Sequence, residues 1–188
     1  MSSTIFFLLN SLDVQRGGLT KACLLQANTF AEQGFGTYIL TFNFDTNYDH
    51  IVSELRTLHK LNNRVIVLNM YQHLGQWANL TTKGNAQTLL QSSQACFEVH
   101  PNKAHAVRAF ENGMYTKFIQ STPNETIEII DYYNESRYRT KREYYDSNGH
   151  LRKSLFMDYE RNKPRQTIYY GQKEAAYLRN GNHHKTVM

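Results

Sequence analysis

The chain opens on an apolar run, Thr4–Leu9, rich in Ile, Phe and Leu and without polar alternation. Such a run fits a buried strand of a parallel sheet. A polar stretch from Asn10 to Gly18 ends in Gly-Gly and reads as a loop. From Leu19 the apolar positions fall at 19, 22, 23, 27, 30 and 31, one face of a helix that Gly34 closes. Phe35–Phe44 suits a second strand. Tyr48–Leu61 carries Ile51, Leu55 and Leu58 on one helical stripe. Arg64–Met70 is a third strand dense in β-branched residues. Strands alternating with helices predict a β-α-β-α-β unit with a parallel sheet, half of a doubly wound domain.

The period changes farther along. Residues 71–103, with Gly75, Gly84 and many Asn, Gln, Ser and Thr, read as a connection. Thereafter turn signals recur at short intervals. Glu111-Asn112-Gly113, Pro123-Asn124, Asn134-Glu135-Ser136, Asp146-Ser147-Asn148-Gly149 and Asn162-Lys163-Pro164 separate six- to nine-residue segments. This pattern predicts an antiparallel β-meander. The organisation expected is therefore α/β plus β. Residues 1–75 form the α/β unit, 76–103 a connecting segment, 104–180 the meander and 181–188 a tail. Neither face of Arg137–Tyr145 is purely apolar, so the sheet buries little by itself and calls for a partner at its edges.

Composition sharpens the division. The net charge of +5 is uneven: residues 1–95 hold six Lys/Arg against five Asp/Glu, and residues 96–188 fifteen against eleven. Ten of the 13 tyrosines lie in the second part. A basic, tyrosine-rich sheet can attract a polyanion, although alternation of charges on a solvated sheet gives the same count. No stretch approaches the ~20 apolar residues of a membrane span. Ile5–Leu9 is too short for a signal sequence and lacks a basic leader, so a cytoplasmic protein is expected, with at most peripheral membrane association. Two cysteines give no disulfide framework. The sequons at Asn79, Asn124 and Asn134 are then chance matches.

The loop Arg16-Gly17-Gly18-Leu19-Thr20-Lys21 carries the most chemistry. Its glycines allow close backbone approach of a ligand. The helix N-terminus behind them offers free N–H groups to a diphosphate or other anion. The spacing matches neither GxxxxGK[ST] nor GxGxxG, so no dinucleotide cofactor is expected, and Asp45 is a weak echo of a ribose-binding acid. A tight turn without ligand explains the loop equally well.

Ser11–Ala22 (SLDVQRGGLTKA), Leu40–Phe44 (LTFNF), Arg137–Lys153 and Asn162–Tyr170 resemble the N-terminal part of the bacterial poly(glycerol-phosphate) and poly(ribitol-phosphate) α-glycosyltransferases. These enzymes decorate wall teichoic acid with glucose or N-acetylglucosamine. The resemblance runs from Thr4 to about Leu178. It implies a partial Rossmann-like unit of the GT-B type with an inserted antiparallel β domain able to build a trimer. It also implies retaining transfer from a UDP-sugar, without metal, to a polyol-phosphate acceptor. Gly17, Gly18, Leu19 and Thr20 would face the donor phosphates, and Arg16, Lys21, Arg137, Arg139 and Arg142 the acceptor phosphates. Family members continue into a donor-binding domain with Arg, Lys and a Glu-x7-Glu pair, and the resemblance covers only the part that precedes this domain. The chain alone is therefore expected to be inactive, with no catalytic residue assigned; the alternative is a non-catalytic module for oligomerisation or polymer binding.

Other constellations are weaker. Cys96-x3-His100-x4-His105 lacks a fourth metal ligand. Trp77 fits burial better than sugar stacking, and His183-His184 fit an unstructured end. No nucleophile elbow is present, and no RNP or helix-turn-helix pattern supports nucleic acid.

Overall fold

A computed structural model describes residues 3–15, 17–76, 94–171 and 176–181. It contains two compact units, Met1–Leu74 and Gly75–Met188.

In the first unit, β1 (Thr4–Leu9), β2 (Gly36–Thr41) and β3 (Ile66–Asn69) form a parallel sheet in that order. Helices α1 (Leu19–Glu32) and α2 (Tyr48–Thr57) make the crossovers. Both connections step the same way along the sheet, and right-handed crossovers then put both helices on one face. Leu24, Ala27 and Ala31 of α1 and Tyr48 and Leu55 of α2 pack there with Leu9 and Ile39. Gly34 ends α1 at φ 88°, and Phe35 N–H donates to Phe30 O at 3.0 Å, the helix-closing bond expected of a glycine at this place. The second helix stops earlier than its apolar stripe suggests. His59 takes φ 55°, and Lys60 N–H returns to Leu55 O at 2.9 Å, so the chain turns out before Leu61, which is nevertheless buried.

The opposite face of this sheet is different. Phe6 and Leu8 of β1, Tyr38 and Leu40 of β2, and Ile66 and Leu68 of β3 stand in register across it. Phe6 is 58% exposed, Leu8 67%, Ile66 44% and Leu68 37%. The Phe6 and Tyr38 rings stack at 5.1 Å.

Two elements depart from the sequence reading. Helix α3 (Met70–Gln76) follows β3 directly; Asn69 Oδ1 accepts from Gln72 N–H at 3.1 Å and starts it. Strand β4 (Cys96–Val99) lies inside the segment expected to be a connection. Its four residues are all exposed, and only pairing with the next strand defines it.

The second unit is an antiparallel sheet of eight strands in sequence order. After β4 come β5 (Ala106–Glu111), β6 (Met114–Ser121), β7 (Ile127–Tyr133), β8 (Arg139–Tyr145), β9 (Leu151–Asp158), β10 (Lys163–Tyr170) and β11 (Ala176–Gly181). Asn112 and Gly113 turn the β5–β6 hairpin with φ 51° and 78°, as Asn-Gly hairpins require. The apolar core is small: Ala109, Ile119, Ile127, Ile130 and Tyr145. Cross-strand pairs of charged and aromatic side chains supply much of the rest.

Candidate functional site

The carboxyl edge of the parallel sheet carries the glycine loop. Leu12, 2% exposed, anchors it below. Asp13 Oδ1 accepts from Gln15 N–H at 3.1 Å, and Lys60 Nζ donates to Val14 O at 2.8 Å, which fixes the loop to the end of α2. Arg16 lies outside the described residues. Gly17 and Gly18 are exposed, and open space surrounds both where a Cβ would stand. Gly18 has φ 61° and ψ −123°, a conformation that only glycine adopts without strain. Packing therefore leaves the first glycine unexplained, whereas backbone geometry demands the second.

Gly18 is also the N-cap of α1, and no side chain caps the helix. The first intrahelical bond is Ala22 N–H to Gly18 O at 3.1 Å. Helix geometry leaves the N–H groups of Leu19, Thr20 and Lys21 without intrahelical acceptors. No acid occupies the first turn. Leu19 and Lys21 are exposed and Thr20 is buried. An uncapped positive dipole end with a lysine on its first turn is an anion-binding arrangement.

Beside the loop the sheet edge is cross-linked by buried side-chain hydrogen bonds. Tyr48 Oη and Thr41 Oγ1 lie 2.5 Å apart, and Asn69 Nδ2 donates to Thr41 Oγ1 at 3.0 Å and to Asn43 O at 2.9 Å. Burial raises the Tyr48 hydroxyl above the usual tyrosine range. Asp45, the residue with an echo of a ribose acid, accepts from Asn47 N–H at 2.8 Å and makes the turn into α2.

In the antiparallel sheet, Asp131 is 2% exposed. Arg142 grips it through Nε at 2.6 Å and Nη2 at 2.5 Å, and Arg139 Nη1 stands 3.6 Å away. Hydrogen bonding to Asp131 raises the Arg142 guanidinium above its already high range. Strict alternation assigns Arg139 and Arg142 to opposite faces. A register shift between Tyr132 and Tyr133 opposes Tyr133 to Arg139 and skips Thr140, so both arginines reach one carboxylate. Both are thus drawn to one buried carboxylate, which offsets one of their two charges, an arrangement that sequence spacing did not reveal. Arg137 is exposed, at φ 61° in the turn before β8. The remaining cations of the basic stretch are engaged as well. Lys141 lies 2.8 Å from Glu143 and 4.0 Å above the Tyr132 ring. Arg152 bridges Asp146, and Lys153 lies over Tyr144.

On the face with Lys141, Tyr132 and Tyr145 donate to Glu143 Oε2 at 2.7 and 2.8 Å. Burial first, then the charge of Glu143, pushes both hydroxyls far up. Tyr115 and Tyr133 stack at 4.8 Å beside an open cavity of about 480 Å³ lined also by Asn134 and Ser136. Burial raises both hydroxyls.

Cys96 is exposed on β4, and His100 Nδ1 accepts from Asn102 N–H at 3.3 Å. Among the described residues no group of three or more His, Cys, Asp or Glu could hold a metal, and no helix is long and apolar enough to cross a membrane. Trp77, His183 and His184 lie outside the described residues.

The family model Glycosyl transferase 1 domain A matches residues 6–183. A poly(ribitol-phosphate) alpha-N-acetylglucosaminyltransferase of Staphylococcus aureus is 24% identical over 93% of this chain and 35% of its own length. A poly(glycerol-phosphate) alpha-glucosyltransferase of Bacillus subtilis is 25% identical over 92% of this chain and 26% of its own. The chain thus spans about a third of these relatives or less, and the resemblance read from the sequence holds. A crystal structure of an S. aureus TarM mutant with fondaparinux, alpha-GlcNAc-glycerol and UDP superposes with a TM-score of 0.63 at 16% identity, over 96% of this chain and 41% of that one. A GtfA/B complex gives 0.64 at 12% identity, over 96% and 36%. The fold is that of part of a GT-B glycosyltransferase.

Proposed function

Because the chain belongs to the Glycosyl transferase 1 domain A family, we propose that it is the acceptor-side part of a retaining, UDP-sugar-dependent transferase acting on polyol-phosphate polymer. The observation that carries this reading is the uncapped α1 N-terminus behind Gly17-Gly18, at the carboxyl edge of a parallel sheet. Free N–H groups of Leu19, Thr20 and Lys21 would hold the donor diphosphate, and the Lys21 ammonium the nearby acceptor phosphate. Of Arg137, Arg139 and Arg142, Arg137 is the best placed for polymer phosphate, because it is exposed while the other two face Asp131. The donor sugar, glucose or N-acetylglucosamine, and the polyol, glycerol or ribitol, are the two choices that the named relatives represent.

The family members that the sequence resembles carry their leaving-group cations in a further domain, and the matched relatives hold about two thirds or more of their length outside the shared region, so charge developing on departing UDP would be stabilised there. The pure 188-residue protein, supplied with UDP-glucose or UDP-N-acetylglucosamine and poly(glycerol phosphate), is expected to transfer no sugar. It is expected to retain polymer in a filter assay, weakly and several-fold less at 0.5 M than at 0.05 M salt. Measurable turnover overturns the inactivity, and salt-independent or absent retention overturns the acceptor role.

The second reading, an assembly module, draws on the sheet: its terminal strands β4 and β11 are largely exposed, and among the described residues no strand pairs with the outer edge of either. A trimer held through the meander belongs to this reading. Light scattering that gives a defined trimer, together with no polymer retention, would favour it.

A further inference from the structure

The antiparallel sheet holds a cavity that anion binding leaves unused. We infer that this cavity, beside Tyr133, binds one neutral hexopyranose unit, whose apolar ring face lies on Tyr133 and whose hydroxyls meet Asn134, Glu135 and Ser136. It measures about 480 Å³ and is lined by Tyr115, Tyr133 and these three turn residues. Small-molecule sites span roughly 300–1,000 Å³.

Two irregularities of the ladder build the site. Alternation along β6 sets Tyr115 with Lys117, the partner of Tyr132, and so on the face opposite Tyr133. The pairing of β5 with β6 opposes Phe110 to Tyr115 and skips Thr116, which turns the Tyr115 ring round. The second shift, between Tyr132 and Tyr133, flanks the other ring. Tyr115 and Tyr133 then stack at 4.8 Å, and Phe110 holds Tyr115 from 5.6 Å. Among the described residues Tyr133 has no further ring partner. Bulges that re-aim side chains in this way gather at binding and active sites.

The lining selects the ligand. A hexopyranose carries a patch of C–H groups on one ring face, which suits the negative face of an aromatic ring. Its hydroxyls need donors and acceptors together. Asn134 Oδ1 accepts from Tyr138 N–H at 2.9 Å, which fixes that side chain and leaves its amide N–H groups as donors. The exposed Glu135 carboxylate accepts, and the exposed Ser136 hydroxyl does both. Among the described residues no Lys or Arg lines the cavity, and Glu135 repels phosphate. Arg139, paired with Tyr133, repels a cation. An uncharged polyhydroxy ring fits both limits. The site is independent of the transferase reading, since it lies in the second unit and its ligand carries no phosphate.

The test titrates the 15N-labelled chain with methyl α-glucopyranoside and with methyl N-acetyl-α-glucosaminide. At least one should shift the Tyr133–Ser136 amides saturably, with a Kd of about 1–10 mM for a ligand this small. The Kd should change less than twofold between about 0.05 and 0.5 M salt. Tyr133→Leu, which keeps apolar bulk without the ring, should weaken binding at least tenfold. Ser136→Arg, at an exposed turn position, should do the same by filling the cavity. Val99→Lys on β4 should leave binding unaltered. Maltotriose binding tighter than the monosaccharides assigns the site to a chain-borne unit and equal binding to a single sugar; either result supports it. No saturable shift with either glycoside overturns the inference. So do shifts centred away from this turn, binding indifferent to both Tyr133→Leu and Ser136→Arg, or tighter, salt-sensitive binding of glucose 6-phosphate.

Discussion

Asp131 lies under two arginines on a sheet with little apolar core. Replacing it with Asn keeps the shape and removes the charge, which leaves Arg142 and Arg139 facing each other. Hydrogen bonds to charged groups contribute about 1.5–3 kcal/mol, and the guanidinium side chains are about a quarter exposed. Asp131→Asn should therefore cost about 2 kcal/mol, read as a lower urea midpoint. Tyr132 and Tyr145 give a pH dependence of definite sign. Burial and Glu143 raise their folded pKa values above the unfolded value near 10. Stability is then complete below pH 10 and falls as pH rises beyond it, by up to about 1.4 kcal/mol per pH unit for each tyrosine still protonated in the fold. The share of the tyrosinate absorbance at 295 nm that belongs to Tyr132 and Tyr145 should appear only as the sheet unfolds. Little of this was legible in the sequence. Basic residues and tyrosines were visible as types, but a single skipped residue, Thr140, decides which of them share a face.

At the scale of the element, α1 poses a trade between stability and binding. A lysine in the first turn opposes the helix dipole, and a glutamate there would favour it by about 0.3–1 kcal/mol. Lys21→Glu should raise the melting temperature by a degree or two and weaken phosphate or polymer binding severalfold. Gly18→Ala should do the reverse of stabilise, costing about 1–3 kcal/mol because of the backbone angles at that cap. Circular dichroism melts of both variants, with a phosphate titration, separate the two effects. The helices and long strands were readable because periodicity is a local signal: α1, from Leu19 to the Gly34 stop, is the clearest case. Strand β4 and helix α3 were not. Four exposed residues carry no period, and the start of α3 depends on one hydrogen bond from Gln72 to Asn69.

At the scale of the whole molecule, the chain joins two units built on opposite rules. The first hides apolar residues under helices on one face and leaves the other bare. The second spreads charged and aromatic pairs across a thin sheet. Sequence reading saw the change of rule, because turn spacing and tyrosine content both step between the halves. The bare face could not be read, since a continuous apolar run looks the same whether both sides are covered or one. The order of the eight strands has a kinetic consequence. Each pairs only with its neighbours in sequence, so every contact of the ladder closes a short loop. The sheet can grow hairpin by hairpin as it leaves the ribosome, without waiting for distant chain. By the same logic a hairpin can be gained or lost at one place while the strands on either side keep their partners, leaving the length of this sheet free to drift among relatives.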